Sequence, residues 1–185
     1  MEPPPTNIAE LLERVRAGWR PKFVFFWSHE PTPAGALGGE CFSQWYGAPF
    51  EIDGVVYATA EHYMMWSKAQ LFGDEEAAHA ILAAANPGAA KRLGRDVRGF
   101  DSETWDQRRS AIVVRANLAK FGQQLELQRC LLGTRDRVLA EASPSDRIWG
   151  IGREADDERA KVPAQWTGLN LLGFALMAVR ASLVG

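Results

Sequence analysis

Cysteine is scarce in this sequence. The 185 residues contain only Cys41 and Cys130, which lie far apart and outside any Cys-x-x-Cys pair. A disulfide framework and a cysteine-based zinc site are therefore not expected, and a reducing cytoplasm is the location that fits best. The three histidines, His29, His62 and His79, also lack the spacing of metal ligands. We expect neither a metal nor another cofactor.

Long apolar runs and an excess of basic residues are missing as well. The longest apolar candidate, residues 169–184, is interrupted by Asn170, Gly173 and Arg180, so no run approaches the roughly 20 residues that span a bilayer. The first residues are rich in proline and do not resemble a signal peptide. The formal net charge of −2 argues against broad electrostatic binding to nucleic acid, although a local basic cleft remains open.

The composition is that of an ordinary globular protein. Apolar residues make up 46% of the chain and charged residues 24%, which suffices for a substantial core in a single domain. Most tryptophans are expected to pack in that core, but one or two can stack on a flat ligand. There are seven of them: Trp19, Trp27, Trp45, Trp66, Trp105, Trp149 and Trp166.

The N-terminal region predicts a helix, a strand and a loop. Asn7 is a suitable cap for a short helix that ends at Gly18, and we assign residues 1–20 to an N-terminal extension. Aromatic and β-branched residues over 22–27 predict a strand. Proline and glycine over residues 30–40 predict a loop, whose role as a lid stays open.

A hairpin followed by helices is predicted for the rest. Asp53-Gly54 suits a type I′ turn between strands 50–52 and 55–57. Thr59 then caps a helix to about Phe72. Further helices are predicted over 74–86, 88–93, 102–121, 125–132 and 169–183. The expected fold is therefore α+β, mainly helical, with a small antiparallel sheet near the N-terminus, in one domain without a βαβ pattern.

Several familiar motifs are incomplete. The stretch from Gly168 to Gly173 has the glycine spacing of a phosphate loop but lacks the following lysine and hydroxyl residue. Gly150-Ile-Gly152 lacks the third glycine of a dinucleotide fingerprint, and no Gly-x-Ser-x-Gly elbow is present.

Glu61 and Lys68 are the first candidates for chemistry. They are seven residues apart and project from one helix face, with Glu61 in the first turn. Glu61 can simply favour the helix dipole while Lys68 is solvated. Its neighbours are apolar and aromatic, however, and a carboxylate in such surroundings can act as an acid or base near neutral pH.

A second carboxylate, Asp146, precedes Trp149 and Gly150. It can cap its own turn, but an aromatic residue beside a glycine also lets the backbone approach a ligand closely. Trp105, followed by Arg108 and Arg109, can hold a flat ring and a phosphate, or these arginines form an exposed ion-pair face.

The motifs together resemble the NADAR family, which is named for an association with NAD and ADP-ribose metabolism and includes N-glycosidases acting on riboflavin intermediates. The resemblance covers residues 23–184 and assigns 21–185 to an N-glycosidase domain. The matching stretches, in family order, are residues 41–46, 49–54, 57–62 with Lys68, 90–94, Trp105, 117–121, 141–152 and 168–173.

The resemblance implies hydrolysis of the bond between a ribose carbon and an amine nitrogen. By this resemblance Glu61, Trp105, Asp146 and Trp149 match the family's catalytic and binding residues. We expect Glu61 and Asp146 to be catalytic, with Glu61 as the principal acid/base and Asp146 stabilising or orienting the ribose. Such cleavage builds positive charge on the ribose, which carboxylates can stabilise. The residues expected to bind the substrate are Ser43, Trp45, Lys68, Trp105, Arg108, Trp149, Gly150 and Asn170.

Two substrates and two other functions stay open. The substrate is either a phosphorylated ribosyl-pyrimidine of riboflavin synthesis or ADP-ribosyl-guanine in DNA. The small acidic charge favours the first, and a basic face including Arg92, Arg95 and Arg98 favours the second. A non-catalytic sensor that binds NAD or ADP-ribose is an alternative, as is a structural helical protein with a capped Glu61, which full exposure of Glu61 would support. The partner is thus a small ribosyl nucleotide or ADP-ribose, with ADP-ribosylated DNA as a second possibility and no membrane.

Overall fold

The computed structural model describes residues 3–30 and 37–184. Residues 31–36 of the predicted 30–40 loop lie outside this part, so whether the loop acts as a lid stays open. The helices are α1 (Ile8–Arg16), α2 (Ala60–Leu71), α3 (Glu75–Leu82), α4 (Pro87–Arg95), α5 (Ser102–Gln123), α6 (Leu125–Gly133) and α7 (Leu171–Val184). The strands are β1 (Phe23–Phe26), β2 (Phe50–Ile52), β3 (Val55–Tyr57) and β4 (Val138–Glu141). Within the described ranges no helix is long and apolar enough to cross a bilayer.

The described residues group into two compact units. The first unit combines Met1–Ser43 with Leu125–Gly185, and the second is Gln44–Gln124. The first contains α1, β1, β4, α6 and α7, and the second contains the β2–β3 hairpin with α2 to α5. Each unit has its own buried cluster, so each is described separately.

In the first unit, β1 pairs in parallel with β4, in the register Phe23 with Val138 and Phe26 with Glu141. Ala140, Ala142 and Ile151 form a buried cluster beside this pair. Neither β4 nor its parallel pairing was predicted from the sequence. The strand has only four residues without polar alternation, and its partner lies more than 100 residues earlier, so no local signal marks it.

In the second unit, the hairpin forms as predicted. Asp53 and Gly54 both have positive φ, 53° and 80°, as the two central residues of a type I′ turn require. The hairpin buries Phe50 and Tyr57 against Tyr63 of α2. This packing fixes where α2 begins.

The α+β, mainly helical class with an antiparallel hairpin is confirmed. The predicted caps also hold: the amide of Glu10 donates to the Asn7 side chain (2.9 Å), and the amide of His62 donates to that of Thr59 (3.4 Å). The third helix ends at Leu82 rather than near residue 86, because Asn86 caps the next helix. The extension boundary at residue 20 stays a prediction.

Candidate active site

Glu61 is a buried carboxylate in the first turn of α2, only 2% exposed. Its backbone N–H donates to the carbonyl of Gln44 (3.0 Å), which satisfies one of the amides that a helix start leaves without an intrahelical partner. Lys68 is buried as well, so its interpretation as a solvated helix end is wrong, and Glu61 lacks the exposure that would favour a purely structural protein. The Thr59 cap and the bond from the Glu61 amide to Gln44 thus hold Glu61 at the helix N-terminus.

His62 fixes the start of the same helix through both of its ring nitrogens. Its Nε2 lies 3.1 Å from the carbonyl of Ala84, which can only accept, so Nε2 carries a proton in the neutral ring. Nδ1 is then the acceptor, and the Thr59 hydroxyl donates to it across 2.8 Å. Thr59 and His62 are both buried, and together they lock the turn that carries Glu61.

Lys68 lies two turns further along α2 and is also buried. Its ammonium donates to the carbonyl of Gly94 (2.7 Å) and lies 4.1 Å from the centroid of the Phe100 ring and 5.8 Å from that of Trp105. Burial lowers the pKa of Lys68 from its ordinary value. A partly desolvated ammonium between two aromatic rings is suited to hold an anion such as a phosphate.

The structure thus brings Lys68 and Trp105 together. Trp105 is buried on α5, one helical turn before Arg108, which is exposed to solvent. Arg109 instead forms an ion pair with Asp106 (2.7 Å). The Arg109 side chain is only 11% exposed, so an exposed ion-pair face does not describe it.

Ser43 and Trp45 lie on either side of Gln44, the residue at which the second unit begins in the sequence. Ser43 is the last residue of the first unit, buried, and its amide donates to the carbonyl of Glu40 (3.1 Å). Trp45 is half-buried in the second unit, with the ammonium of Lys91 5.7 Å from its ring centroid. Trp45 keeps a partly accessible face with a cation beside it.

Asp146 lies in a tight turn of the first unit. Its Oδ1 accepts from the amides of Ile148 (2.9 Å) and Trp149 (2.8 Å), and its own amide donates to Ser143 Oγ (3.2 Å). These bonds are those of an aspartate that organises its own backbone. They engage one carboxylate oxygen, and they hold half-buried Asp146 and Trp149 in one fixed turn.

Gly150 and Asn170 pack between that turn and β4. A Cβ at Gly150 would come within 2.9 Å of the Glu141 carbonyl oxygen, so only glycine fits. Asn170 is fully buried: its Oδ1 accepts from the Glu141 amide (3.0 Å) and its Nδ2 donates to the Leu139 carbonyl (2.9 Å). The backbone N–H of Asn170 also donates to the Gly150 carbonyl (3.0 Å). Asn170 therefore ties the turn to β4.

Two buried amides near Glu61 escaped the sequence analysis as site residues. Gln44 accepts the Glu61 amide, and its side-chain oxygen accepts from Asn117 Nδ2 (2.8 Å). A signal for Asn117 was present: Val113, Ala116, Asn117 and Lys120 recur at the i, i+3, i+4, i+7 spacing of a buried helix face, and two of them are polar. No comparable signal marks Gln44.

A surface depression of about 450 Å³ lies in the first unit, at the carboxyl ends of β1 and β4. Its lining residues are Phe25, Phe26, Trp27, Ala142, Glu154, Ala155 and Asp156. None of the predicted site residues lines it, although the Asp146 turn follows Ala142 directly. In the described part of the chain, no group of three or more His, Cys, Asp or Glu side chains could hold a metal ion.

Comparisons with known proteins agree on one family. The model of the NADAR domain matches residues 25–184. N-glycosidase R617 of Acanthamoeba polyphaga mimivirus is 40% identical over 165 residues, 86% of this chain and 95% of the relative. N-glycosidase YbiA of Escherichia coli (strain K12) is 32% identical over 142 residues, 77% of this chain and 80% of the relative. The solved structure of E. coli YbiA superposes with a TM-score of 0.71 at 29% identity, covering 90% of this chain and 87% of that one.

Proposed function

Because the chain belongs to the NADAR domain family, whose relatives above are named N-glycosidases, we propose that it hydrolyses the N-glycosidic bond of a ribosylated base that carries a phosphate. The class of enzyme, a hydrolase of N-glycosyl bonds, rests on those relatives. The observation that carries the proposal is the buried Glu61 carboxylate on the helix that also carries the buried Lys68 ammonium.

The reaction needs little more than one positioned carboxylate. Water adds to the anomeric carbon as the carbon–nitrogen bond breaks, and the released amine takes up a proton. The transition state resembles an oxocarbenium ion. We assign to Glu61 the stabilisation of this charge and the activation of water. Burial keeps the Glu61 carboxylate out of bulk solvent. In a site of lower dielectric constant its electrostatic effect on the reacting carbon is larger.

The other roles follow from the contacts of each group. Lys68 holds the phosphate, since its ammonium is presented between the Phe100 and Trp105 rings. Trp105 and Trp149 offer faces for the base or the ribose. Asp146 has one oxygen committed to its turn, so we assign it the orientation of the ribose with the other oxygen. Asn170 is fully buried and bonded to β4, so we assign it the shaping of the turn that presents Asp146 and Trp149.

A small ribosyl-pyrimidine phosphate suits the charges better than modified DNA does. Of the basic face, Arg98 is paired with Asp74 and Glu76, and Arg109 with Asp106. A duplex site needs several free cations, because each phosphate contact releases counterions. ADP-ribosyl-guanine in DNA remains the second substrate. The exposed Arg92, Arg95 and Arg108 would be its phosphate contacts.

A sensor that binds ADP-ribose without cleaving it is the second candidate function. The observation that favours it is the Asp146 turn: its hydrogen bonds to the Ile148 and Trp149 amides account for this residue without any catalysis. Such a protein would need Lys68 and the tryptophans but not Glu61.

The test is a product assay by mass spectrometry in water enriched in ¹⁸O. A ribosyl-pyrimidine phosphate, NAD, ADP-ribose and ADP-ribosyl-guanine DNA are offered in parallel. Release of the free base with ¹⁸O on the ribose supports the hydrolase, and the substrate that reacts identifies the class. Tight ADP-ribose binding by calorimetry with no product over hours supports the sensor and overturns the hydrolase.

A further inference from the structure

Two buried side-chain amides in the second unit, Gln44 and Asn117, have hydrogen-bonding capacity that the protein leaves unused. Gln44 is 6% exposed and Asn117 is 0% exposed. Among the described residues, Gln44 Nε2 and Asn117 Oδ1 have no hydrogen-bond partner. Buried polar atoms are nearly always paired, because leaving one unpaired loses its hydration without return.

The orientation of both amides is fixed by their neighbours. Asn117 Nδ2 donates to the carbonyl of Val113 (2.9 Å), which can only accept, so this end of the amide is nitrogen. Its second hydrogen points to Gln44 Oε1 (2.8 Å). What remains is one donor, Gln44 Nε2, and one acceptor, Asn117 Oδ1. The hydrogen bond from Asn117 Nδ2 to Gln44 Oε1 joins the two side chains, and we call this buried pair the junction. The unpaired Gln44 Nε2 and Asn117 Oδ1 both belong to it.

This junction adjoins the proposed catalytic residue. The backbone carbonyl of Gln44 accepts the amide of Glu61 (3.0 Å), so the residue that carries the unused donor also anchors the turn that carries the carboxylate. Lys120, one helical turn after Asn117 on α5, is fully buried with its ammonium 5.5 Å from the Tyr46 ring centroid. The surroundings are thus aromatic and cationic, as suits an electron-rich ring.

We propose that Gln44 and Asn117 form a subsite that reads the base of the substrate through an edge with one N–H beside one carbonyl. Gln44 Nε2 donates to the ring carbonyl, and Asn117 Oδ1 accepts from the adjacent ring N–H. The inference rests on the proposed function, since it places the leaving base beside Glu61. It applies to the lactam edge shared by pyrimidinones and guanine, and it disfavours edges with two donors or two acceptors.

Such a subsite discriminates strongly, because a base without the matching group leaves a buried protein atom unpaired. Methylation of the ring nitrogen removes the donor of the lactam and adds bulk. The wild-type enzyme should therefore cleave the N–H substrate at least about tenfold better, in kcat/KM, than its N-methyl analogue, since one lost hydrogen bond in a closed site corresponds to roughly that factor.

The experiment measures base release from a ribosylaminopyrimidinone 5′-phosphate and its N-methyl analogue, with a guanine-based ADP-ribosyl substrate and its N-methyl form as a second pair. The variants are Asn117→Ala, Gln44→Met and Gln44→Glu. Gln44→Glu keeps the oxygen that faces Asn117 and turns the free donor into an acceptor. Leu118→Ala, an exposed neighbour on α5, is the matched control.

The proposal expects Asn117→Ala to lose the preference for N–H over N-methyl. Gln44→Met and Gln44→Glu should lower kcat/KM about 10- to 100-fold, and the control should change neither. Variants that are less stable yet keep the wild-type preference would show that the junction holds a structural water only, which overturns the subsite but leaves the hydrolase standing. A wild-type enzyme that releases no base from either pair overturns both. Thermal melts of each variant separate misfolding from lost recognition.

Discussion

Replacing Thr59 by alanine should destabilise the protein more than an ordinary surface substitution does. The Thr59 hydroxyl accepts the amide of His62 at the start of α2 and donates to Nδ1 of the same ring. Both side chains are buried, so no solvent replaces the lost hydroxyl. The substitution removes the helix cap and a buried side-chain hydrogen bond together.

The magnitude follows from these two contacts. Loss of a helix N-cap costs about 0.5–2 kcal/mol, and the long 3.4 Å capping distance places this case near the lower end. The 2.8 Å bond leaves a buried imidazole nitrogen unpaired when it is lost, which costs about 1–3 kcal/mol. Thr59→Ala should therefore lower the free energy of unfolding by about 2–4 kcal/mol. Thr59→Ser keeps the hydroxyl and loses one methyl group, about 0.8 kcal/mol.

The assay is equilibrium unfolding in urea, monitored by tryptophan fluorescence, for the wild type, Thr59→Ala and Thr59→Ser. A change in midpoint at constant slope reports stability alone. The reasoning is refuted if Thr59→Ala costs less than about 1 kcal/mol, or if the serine variant is as unstable as the alanine variant, since the hydroxyl would then be irrelevant.

Three further outcomes are expected. Gly94→Ala places a Cβ against the Met65 side chain, within 3.0 Å of its Cβ, and should cost about 1–3 kcal/mol by urea unfolding, whereas a neutral effect would contradict this packing. Burial raises the pKa of Tyr57 to about 12, so the native state favours the neutral phenol. Its contribution is fully present below about pH 10 and should fall by roughly 2–3 kcal/mol as the pH rises to 12, a loss that Tyr57→Phe should remove. Asn170→Ala frees two buried backbone groups from their partners and should cost about 2–5 kcal/mol in the same assay; a urea midpoint like that of the wild type would contradict its role as a tie.

The local elements of the fold were predictable because their signals are local. Asp53-Gly54 can adopt two positive φ angles in a row, which predicts the hairpin turn. Thr59 is a good cap, which predicts the start of α2 a few residues later. The strand Val138–Glu141 was not predictable in this way. Its hydrogen bonds go to Phe23–Phe26, and nothing near it in sequence marks a parallel partner.

The candidate site was predictable in its residue types but not in its burial. Glu61 at a helix start has the pattern of a dipole partner, and only tertiary packing reveals that α2 is buried on nearly all sides. Gln44 lies 73 residues from Asn117, so their shared hydrogen bond leaves no trace in either segment. The pairing of Glu61 with Asp146 as two acids stays a prediction.

The most direct test of the central claim is the turnover of Glu61→Gln. Glutamine keeps the shape of the buried side chain and removes its charge and its basicity. The account predicts that release of the base falls by about 10²–10⁴-fold in single-turnover assays, while the urea midpoint stays close to that of the wild type. A Glu61→Gln protein that releases the base at the wild-type rate would contradict the role of Glu61 as the catalytic carboxylate.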